Sequence, residues 1–426
     1  MNKPLKKKLP ALIGLICVIA VIAIIARLSG GSQSFQYKYE GEDLSTDVSG
    51  LGRSDTYTNY LAAHSGAPGV ESASKAEGGT ASSKSPISPV SIDIARFTGD
   101  GEARGEGGAD CVYCGDGSTV TWEVEVPTAG LYNIAIEYLT TQSRGVDIER
   151  ELRINGEIPF ASAGQLIFTR LWEDGGEVRK DNQGNDIRPT QVERFDWQRA
   201  LCSDPMGYEA APYQFYFEAG VNTITLYATN EPFIVRAIEL TPAYEVRDYA
   251  QYLSEMPGAE SPQQARTYQA IVQGESAALR SSPSLYARYD RSSADTVPYS
   301  VYNTVLNYIG GDPWNYAGQW IEWDFEVPDD GWYTITLKAR QAYQRGALSC
   351  RSIYIDGEIP FSELSSVAFG YSTAWSMRTL GDESGAPYRL QEQPDRRREL
   401  YALQAVRRAC RAERLLRRRG HDRRVC

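Results

Sequence analysis

Histidine is the residue that this sequence most lacks, with only His64 and His421 among 426 residues. Ser-His-Asp, Cys-His and histidine–metal sites are therefore not expected in its folded domains. No glycine-rich phosphate loop follows a strand and opens a helix. Cys111 and Cys114 form a lone CxxC pair, which leaves either a small-loop disulfide or two free thiols. No acid stands in a recognisable catalytic context, so we predict that the protein is not an enzyme.

Positive charge is also in short supply, because 55 acids outweigh 44 lysines and arginines and give a net charge of −11. Nucleic acid is therefore not an expected partner. Aromatic residues are plentiful, with 27 tyrosines and 8 tryptophans. They suit either the cores of β-sheets or stacking on sugar rings.

An internal repeat organises the chain. Residues 122–160 align without a gap on residues 323–361, at an offset of 201, and 16 of the 39 pairs are identical. Both copies end in the sequence GEIPF. A match of this length indicates two copies of one domain.

Each copy has the period of two that is typical of strands with one buried face. Val120, Trp122, Val124 and Val126 alternate with polar residues, and Pro127 ends the strand. A second alternating strand follows, and a third ends at the turn dipeptide Asn155-Gly156 or, in the second copy, Asp356-Gly357. The pattern predicts antiparallel sheets rather than βαβ units.

This order of strands, with V-P-x-x-G-x-Y after the first and N-G after the third, resembles the jelly-roll carbohydrate-binding modules of glycan-active enzymes. The resemblance implies β-sandwiches whose aromatic residues and loop arginines contact sugars. Core packing is the alternative role for the aromatics, and a scaffold ion pair is the alternative for the arginines. The implied contacts are Arg144, Trp172, Trp197, Tyr208, Trp314, Tyr316, Arg345 and Trp375.

The same resemblance implies a structural calcium ion as the one cofactor. In the resembling modules an N-terminal strand carries a glutamate that helps to bind it, and Glu275 stands at about that position. An exposed glutamate at a strand end is the alternative. Residues 181–186, DNQGND, resemble a calcium loop superficially, but Asp186 stands where an EF-hand needs glycine, which favours a polar hairpin tip.

The fold class predicted from these features is all-β, with two tandem antiparallel jelly-roll β-sandwich domains behind an N-terminal transmembrane helix. Lysines before the apolar run Ala11 to Ala26 favour an uncleaved signal anchor, with a cleaved signal as the alternative. The predicted divisions are a membrane helix at 1–30, a flexible extracellular spacer at 31–90, a first domain at 91–243, a linker at 244–265, a second domain at 266–388 and an aberrant tail at 389–426.

The predicted tail carries 13 arginines and 5 acids and shows no alternation. We interpret it as the product of a frameshift that removes the closing strands of the second domain. A native basic helix that binds an acidic surface is the alternative.

Together, the anchor, the spacer, the two jelly-roll copies and the stretch DNQGNDIRPTQVERFDWQ resemble the N-terminal region of large bacterial extracellular solute-binding proteins of ABC sugar transporters. The resemblance implies a single-pass protein of the cell membrane, largely extracellular, that binds an oligo- or polysaccharide and partners a transporter permease. The solute-binding domain itself is missing from this chain. A structural or adhesive cell-envelope protein and the non-catalytic part of a glycan-degrading enzyme are the alternatives.

Overall fold

The computed structural model describes most of the chain from residue 56 onward, and all of these residues belong to one compact unit, Arg53–Cys426. The predicted membrane helix at 1–30 lies outside the described residues, as does most of the predicted spacer. The described ranges are 56–66, 88–106, 109–209, 211–242, 246–256, 269–329, 331–392 and 398–405.

The first half is a β-sandwich. Its strands are β1 (Val90–Ser91), β2 (Phe97–Gly99), β3 (Glu102–Glu106), β4 (Ala109–Cys114), β5 (Thr119–Val126), β6 (Gly130–Thr140), β7 (Ile148–Ile154), β8 (Leu166–Phe168), β9 (Leu171–Asp174), β10 (Arg179–Lys180), β11 (Asp186–Ile187), β12 (Gln191–Arg194), β13 (Trp197–Leu201), β14 (Gln214–Phe217), β15 (Gly220–Asn230) and β16 (Phe233–Pro242).

Two antiparallel sheets of this half face each other across one core. One has the order β13-β6-β16-β4-β3, with β1 on β16 and β14 on β6, and the other has the order β2-β5-β15-β7-β8. The alternate residues predicted to be buried are buried, with Trp122 and Ile134 fully enclosed. The turn after β7 places Asn155 and Gly156 at φ 52° and 85°, the left-handed pair that a tight hairpin turn requires.

The second half repeats the β5-β15-β7-β8 order but not the whole sandwich. Its strands are β17 (Leu279–Arg280), β18 (Ala287–Arg288), β19 (Tyr308–Ile309), β20 (Trp320–Phe325), β21 (Gly331–Tyr333), β22 (Thr336–Ala339), β23 (Ser349–Ile355), β24 (Val367–Phe369), β25 (Ser376–Thr379), β26 (Leu390–Glu392) and β27 (Arg398–Ala405). Its main sheet has the order β12-β9-β17-β20-β27-β23-β24, and the pairs β18–β19, β21–β26 and β22–β25 form separate small sheets.

The predicted fold class of two tandem sandwich domains is wrong. The halves are not separate sandwiches, because β9 and β12 of the first half begin the main sheet of the second, where Trp172 pairs with Arg280. Periodicity marks strands but does not say which sheet they join. In addition, none of the helices that the structure describes is long and apolar enough to cross a membrane.

The chain also contributes strands after residue 388, where none was predicted. β26 pairs with β21, and β27 lies between β20 and β23, the place that β15 takes between β5 and β7. The frameshift hypothesis stays a prediction, since residues 406–426 lie outside the described ranges.

Two short helices, α1 (Tyr57–Ala63) and α2 (Tyr249–Glu255), cover equivalent sheet edges in the two halves. The Tyr57 and Tyr60 hydroxyls accept hydrogen bonds from the N–H groups of Gln214 and Tyr216 on β14, at 2.8 and 2.6 Å. Tyr249 and Tyr252 do the same for Arg389 and Gln391, at 2.9 and 3.0 Å. Each helix therefore satisfies the exposed donors of an edge strand.

An ion pair between a buried arginine and a partly exposed aspartate joins the two halves where β9 meets β17, a contact that we call the seam. The Arg280 side chain is fully buried, and its two Nη atoms donate to the two carboxylate oxygens of Asp174 at 2.8 and 3.0 Å. Gln191 on β12 accepts a further hydrogen bond from Arg280. The bidentate geometry is the strong form of an arginine–carboxylate contact.

A second seam contact comes from the hairpin of β10 and β11, whose tip at residues 181–186 is the polar tip that the sequence favours. Its Asp186 N–H donates to the Thr304 carbonyl at 2.8 Å, and the Asp186 carboxylate accepts from the Leu306 N–H at 2.9 Å. Asn185 accepts from the Thr304 N–H at 2.8 Å. The tip thereby docks on a loop of the second half.

We expect the edge tyrosines to make the fold sensitive to alkali. Burial raises the pKa of Tyr57 and of Tyr60 to about 12. Because the unfolded chain ionises near pH 10, this stabilisation is complete below pH 10 and is lost as the pH rises toward 12. In urea titrations, the double variant Tyr57→Phe, Tyr60→Phe should have a free energy of unfolding that is lower than that of the wild type by about 1 kcal/mol per hydroxyl at neutral pH. Between pH 10 and 12 its free energy of unfolding should decline less than that of the wild type. The control is Tyr227→Phe, at a half-exposed tyrosine. If the stability of the double variant fell between pH 10 and 12 as much as that of the wild type, the assignment would be refuted.

Removing the seam carboxylate should be costly. Asp174→Ala leaves the Arg280 guanidinium buried without its counter-charge, and we expect the free energy of unfolding to fall by about 3–5 kcal/mol. Asp196→Ala, which breaks an exposed pair with Arg194, should cost less than about 1 kcal/mol. The urea unfolding midpoints of the two variants measure both effects. Equal effects would contradict a stabilising role for the pair of Asp174 and Arg280.

Candidate functional site

In the first half, Arg144 forms the scaffold contacts that were the alternative to sugar binding. Its Nε donates to Glu231 at 2.7 Å, and its Nη2 donates to Asn230. The fully buried Arg170 ion-pairs with the other oxygen of Glu231 and also with Glu193. Glu231 has a left-handed backbone, φ 63°, and these contacts hold that conformation. The sugar contact of Arg144 stays a prediction.

The aromatic candidates of the first half differ in access. Trp172 lies half-buried on β9, with its ring edge against Gly145. Trp197 begins β13, and the Arg236 guanidinium covers its ring at 4.2 Å. Tyr208 is 64% exposed in a loop. Trp172 and Trp197 belong to different sheets.

Of three further candidates in the second half, Trp314 and Tyr316 both hydrogen-bond Gln319. Trp314 packs partly into the core, under the Arg351 guanidinium at 4.2 Å. Tyr316 is 70% exposed. Arg345 is exposed, with its guanidinium 5.5 Å from the Tyr371 ring.

Glu275 was predicted to bind calcium. One of its carboxylate oxygens is buried without a hydrogen-bond partner, and burial raises the pKa of the group. An unsatisfied buried oxygen fits a cation ligand. Within the described ranges, however, no group of three or more histidines, cysteines or acids could hold a metal. Calcium binding stays a prediction.

The eighth candidate, Trp375, is part of a polar and aromatic cluster. Its indole N–H donates to the Asp290 carboxylate at 2.7 Å, and the Arg340 guanidinium lies 5.0 Å from its ring. Arg340 ion-pairs with the same carboxylate oxygen at 2.7 Å. The Asp290 backbone is fixed in turn by Asn307, which accepts from its N–H at 2.7 Å and donates to its carbonyl at 2.9 Å.

The cluster continues through Tyr308, whose ring packs edge-on against Trp375 at 5.7 Å. Gly311, at φ 80°, lets three side chains converge: a Cβ there would lie 3.1 Å from Arg288 Nη1, 3.2 Å from the Tyr343 hydroxyl and 3.5 Å from the Tyr308 ring. Tyr343 is 58% exposed. We call Arg288, Asp290, Tyr308, Arg340, Tyr343 and Trp375 the aromatic–arginine cluster.

Burial alone would raise the pKa of Asp290. Hydrogen bonds from Ser292 and Trp375, with the charge of Arg340, instead hold that pKa below its usual range. The carboxylate is therefore ionised at neutral pH and orients both an arginine and a tryptophan. Such an arrangement can bind a ligand.

The second half also has a shallow depression of about 210 Å³. Ala339 and Ser376, the neighbours of Arg340 and Trp375 in sequence, are part of its lining, with Met377 and Arg378. Its volume is below the roughly 300 Å³ of a typical enclosed ligand site. The candidate site is therefore the aromatic–arginine cluster, of which Tyr343 is the exposed member.

Sequence reasoning found only Trp375 among these six residues. Arg340 and Tyr343 align with Leu139 and Gln142 of the first copy, so a search for shared residues passes over them. One signal was present: residues 286–308 contain five tyrosines, at positions 286, 289, 299, 302 and 308.

No protein-family model matches the sequence, and no curated protein matches it. Several solved structures are similar to part of the chain. A family 35 carbohydrate-binding module from Clostridium thermocellum is 15% identical, with 37% of this chain and 99% of that chain covered and a TM-score of 0.22. A second family 35 module, from Cellvibrio japonicus, is 16% identical, with 37% and 95% covered and a TM-score of 0.24. A β-(1,4)-mannanase from Podospora anserina that carries such a module is 16% identical, with 37% and 28% covered and a TM-score of 0.22. TM-scores this low carry no argument about function.

We expect Asp290→Asn to loosen the cluster in a pH-dependent way. The amide can still accept from the indole but loses its attraction for Arg340, so the free energy of unfolding should fall by about 1–3 kcal/mol at neutral pH. Because folding lowers this pKa, the wild-type advantage exists above the unfolded-state pKa and is lost as the pH falls through the folded-state pKa. Urea titrations at neutral and acid pH should show the two proteins converging. A gap that stays constant with pH would exclude the charge as its cause.

Proposed function

We propose that the protein is a non-catalytic carbohydrate-recognition protein that binds polysaccharide at the aromatic–arginine cluster. The observation that supports this is the exposed Tyr343 ring beside Arg288, in a frame that Asp290 fixes. Sugars present apolar C–H faces and pairs of hydroxyl groups. Aromatic faces pack on the first, and the planar guanidinium fork binds the second.

Preorganisation also favours binding here. Asp290 already holds Arg340 and Trp375, and Gly311 allows Arg288 and Tyr343 to approach each other. Side chains that are fixed before binding lose less conformational entropy on binding. A surface site that holds a polymer weakly requires such fixed side chains.

The finer expectations from the sequence, an association with ABC-type sugar uptake and an extracellular location, rest on the resemblance alone and stay predictions. The structural or adhesive role remains the alternative, and polysaccharide binding separates it from recognition.

The test is native-gel retardation of the full chain on a panel of plant and microbial polysaccharides. We expect selective retardation, and Tyr343→Ala should weaken it by about 5- to 30-fold, because a central aromatic contact contributes about 1–2 kcal/mol. Tyr227→Ala, on β15 of the first half, is the matched control. Trp197→Ala and Tyr208→Ala test the sequence-based sites in the same gels. If wild-type protein is retarded by none of the glycans, the recognition proposal fails and the structural role is favoured.

A further inference from the structure

Two arginines from different halves meet at one tyrosine. Arg188, which follows β11 in the first half, lies with its guanidinium carbon 3.6 Å from the Tyr286 ring centre. Arg288, on β18 of the second half, lies 5.5 Å from the same centre. Both guanidinium groups also hydrogen-bond the Tyr286 phenol, which lowers its pKa.

Neither arginine ion-pairs with a carboxylate among the residues that the structure describes. Arg288 lies among the tyrosines 286, 308 and 343. The neighbouring structural arginines are different, because Arg170, Arg280 and Arg340 each contact an acid within 3 Å. Two guanidinium groups thus lie at one tyrosine ring without a carboxylate partner among the described residues.

A guanidinium group offers a planar fork of donors that matches a carboxylate or a sulfate. Arg288 is also part of the aromatic–arginine cluster, so an anion bound here would lie beside the rings of Tyr343 and Tyr308. A ligand that uses both features has sugar faces and negative charge.

We propose that Arg188 and Arg288 bind the anionic groups of an acidic polysaccharide, and that the ligand of the cluster is therefore an acidic glycan rather than a neutral one. This inference rests on the proposed function. Carboxylate and sulfate groups share the chemistry that the two arginines would recognise.

The position of Arg188 makes this a site of both halves. The hairpin tip just before it is docked on the second half through Asn185 and Asp186. Asn303 of that loop donates to the Gly184 carbonyl at 3.0 Å. The first half therefore supplies a specificity-determining residue to a surface whose other members come from the second.

The experiment measures retardation of the full chain on polygalacturonate, dextran sulfate and neutral dextran and galactomannan, at low and high salt. We expect binding to an acidic polymer that weakens with salt. Arg188→Gln and Arg288→Gln should each weaken it by about tenfold, the effect of one charged hydrogen bond. Arg199→Gln removes the same charge from an exposed pair with Glu239 and should change nothing.

The outcomes are distinguishable. Binding to polygalacturonate alone or to dextran sulfate alone supports the anion site and decides its chemistry. Binding to a neutral polymer only overturns this inference while the proposed function stands, and binding to none overturns both. Equal losses in Arg188→Gln and Arg199→Gln would show a general charge effect and would also overturn the inference.

Discussion

The bidentate contact between Arg280 and Asp174 is the constraint on which the second half depends. Removing the counter-charge of a buried, paired guanidinium group is strongly destabilising. Asp174 belongs to a strand of the first half, and the sheet continues from that strand without interruption to β24. The two copies therefore cannot separate without exposing or unpairing Arg280, and they behave as one unit.

The same seam reaches the candidate site through a short series of contacts. Asp186 of the first half fixes the backbone at Thr304 and Leu306, next to Asn307. Asn307 holds the Asp290 backbone on both sides, and Asp290 in turn orients Arg340 and Trp375. Each step is a hydrogen bond between groups that are at least partly buried, where geometry is well determined. The docking of the hairpin is thus a condition for the site.

The sequence could predict the strands of the shared core, because alternation and the turn at Asn155-Gly156 are local signals. It could not predict that the insertion joins another sheet, since docking of residues 171–194 depends on complementary side chains far apart in the chain. The helices α1 and α2 share the sequence Y-x-x-Y-L, but this motif lies outside the aligned repeat. The candidate arginines Arg144 and Arg345 are both exposed, and Arg144 also ion-pairs with Glu231.

The difference between the copies explains where a recognition surface can lie. In the first copy the insertion covers the loops: Trp172 packs on Gly145, and Glu193 pairs with the buried Arg170. These contacts leave Arg144 engaged with Glu231. The insertion then continues to the second copy and contributes Arg188 to its exposed loops. One segment thus packs on the loops of the first sandwich and places Arg188 beside the candidate surface of the second half.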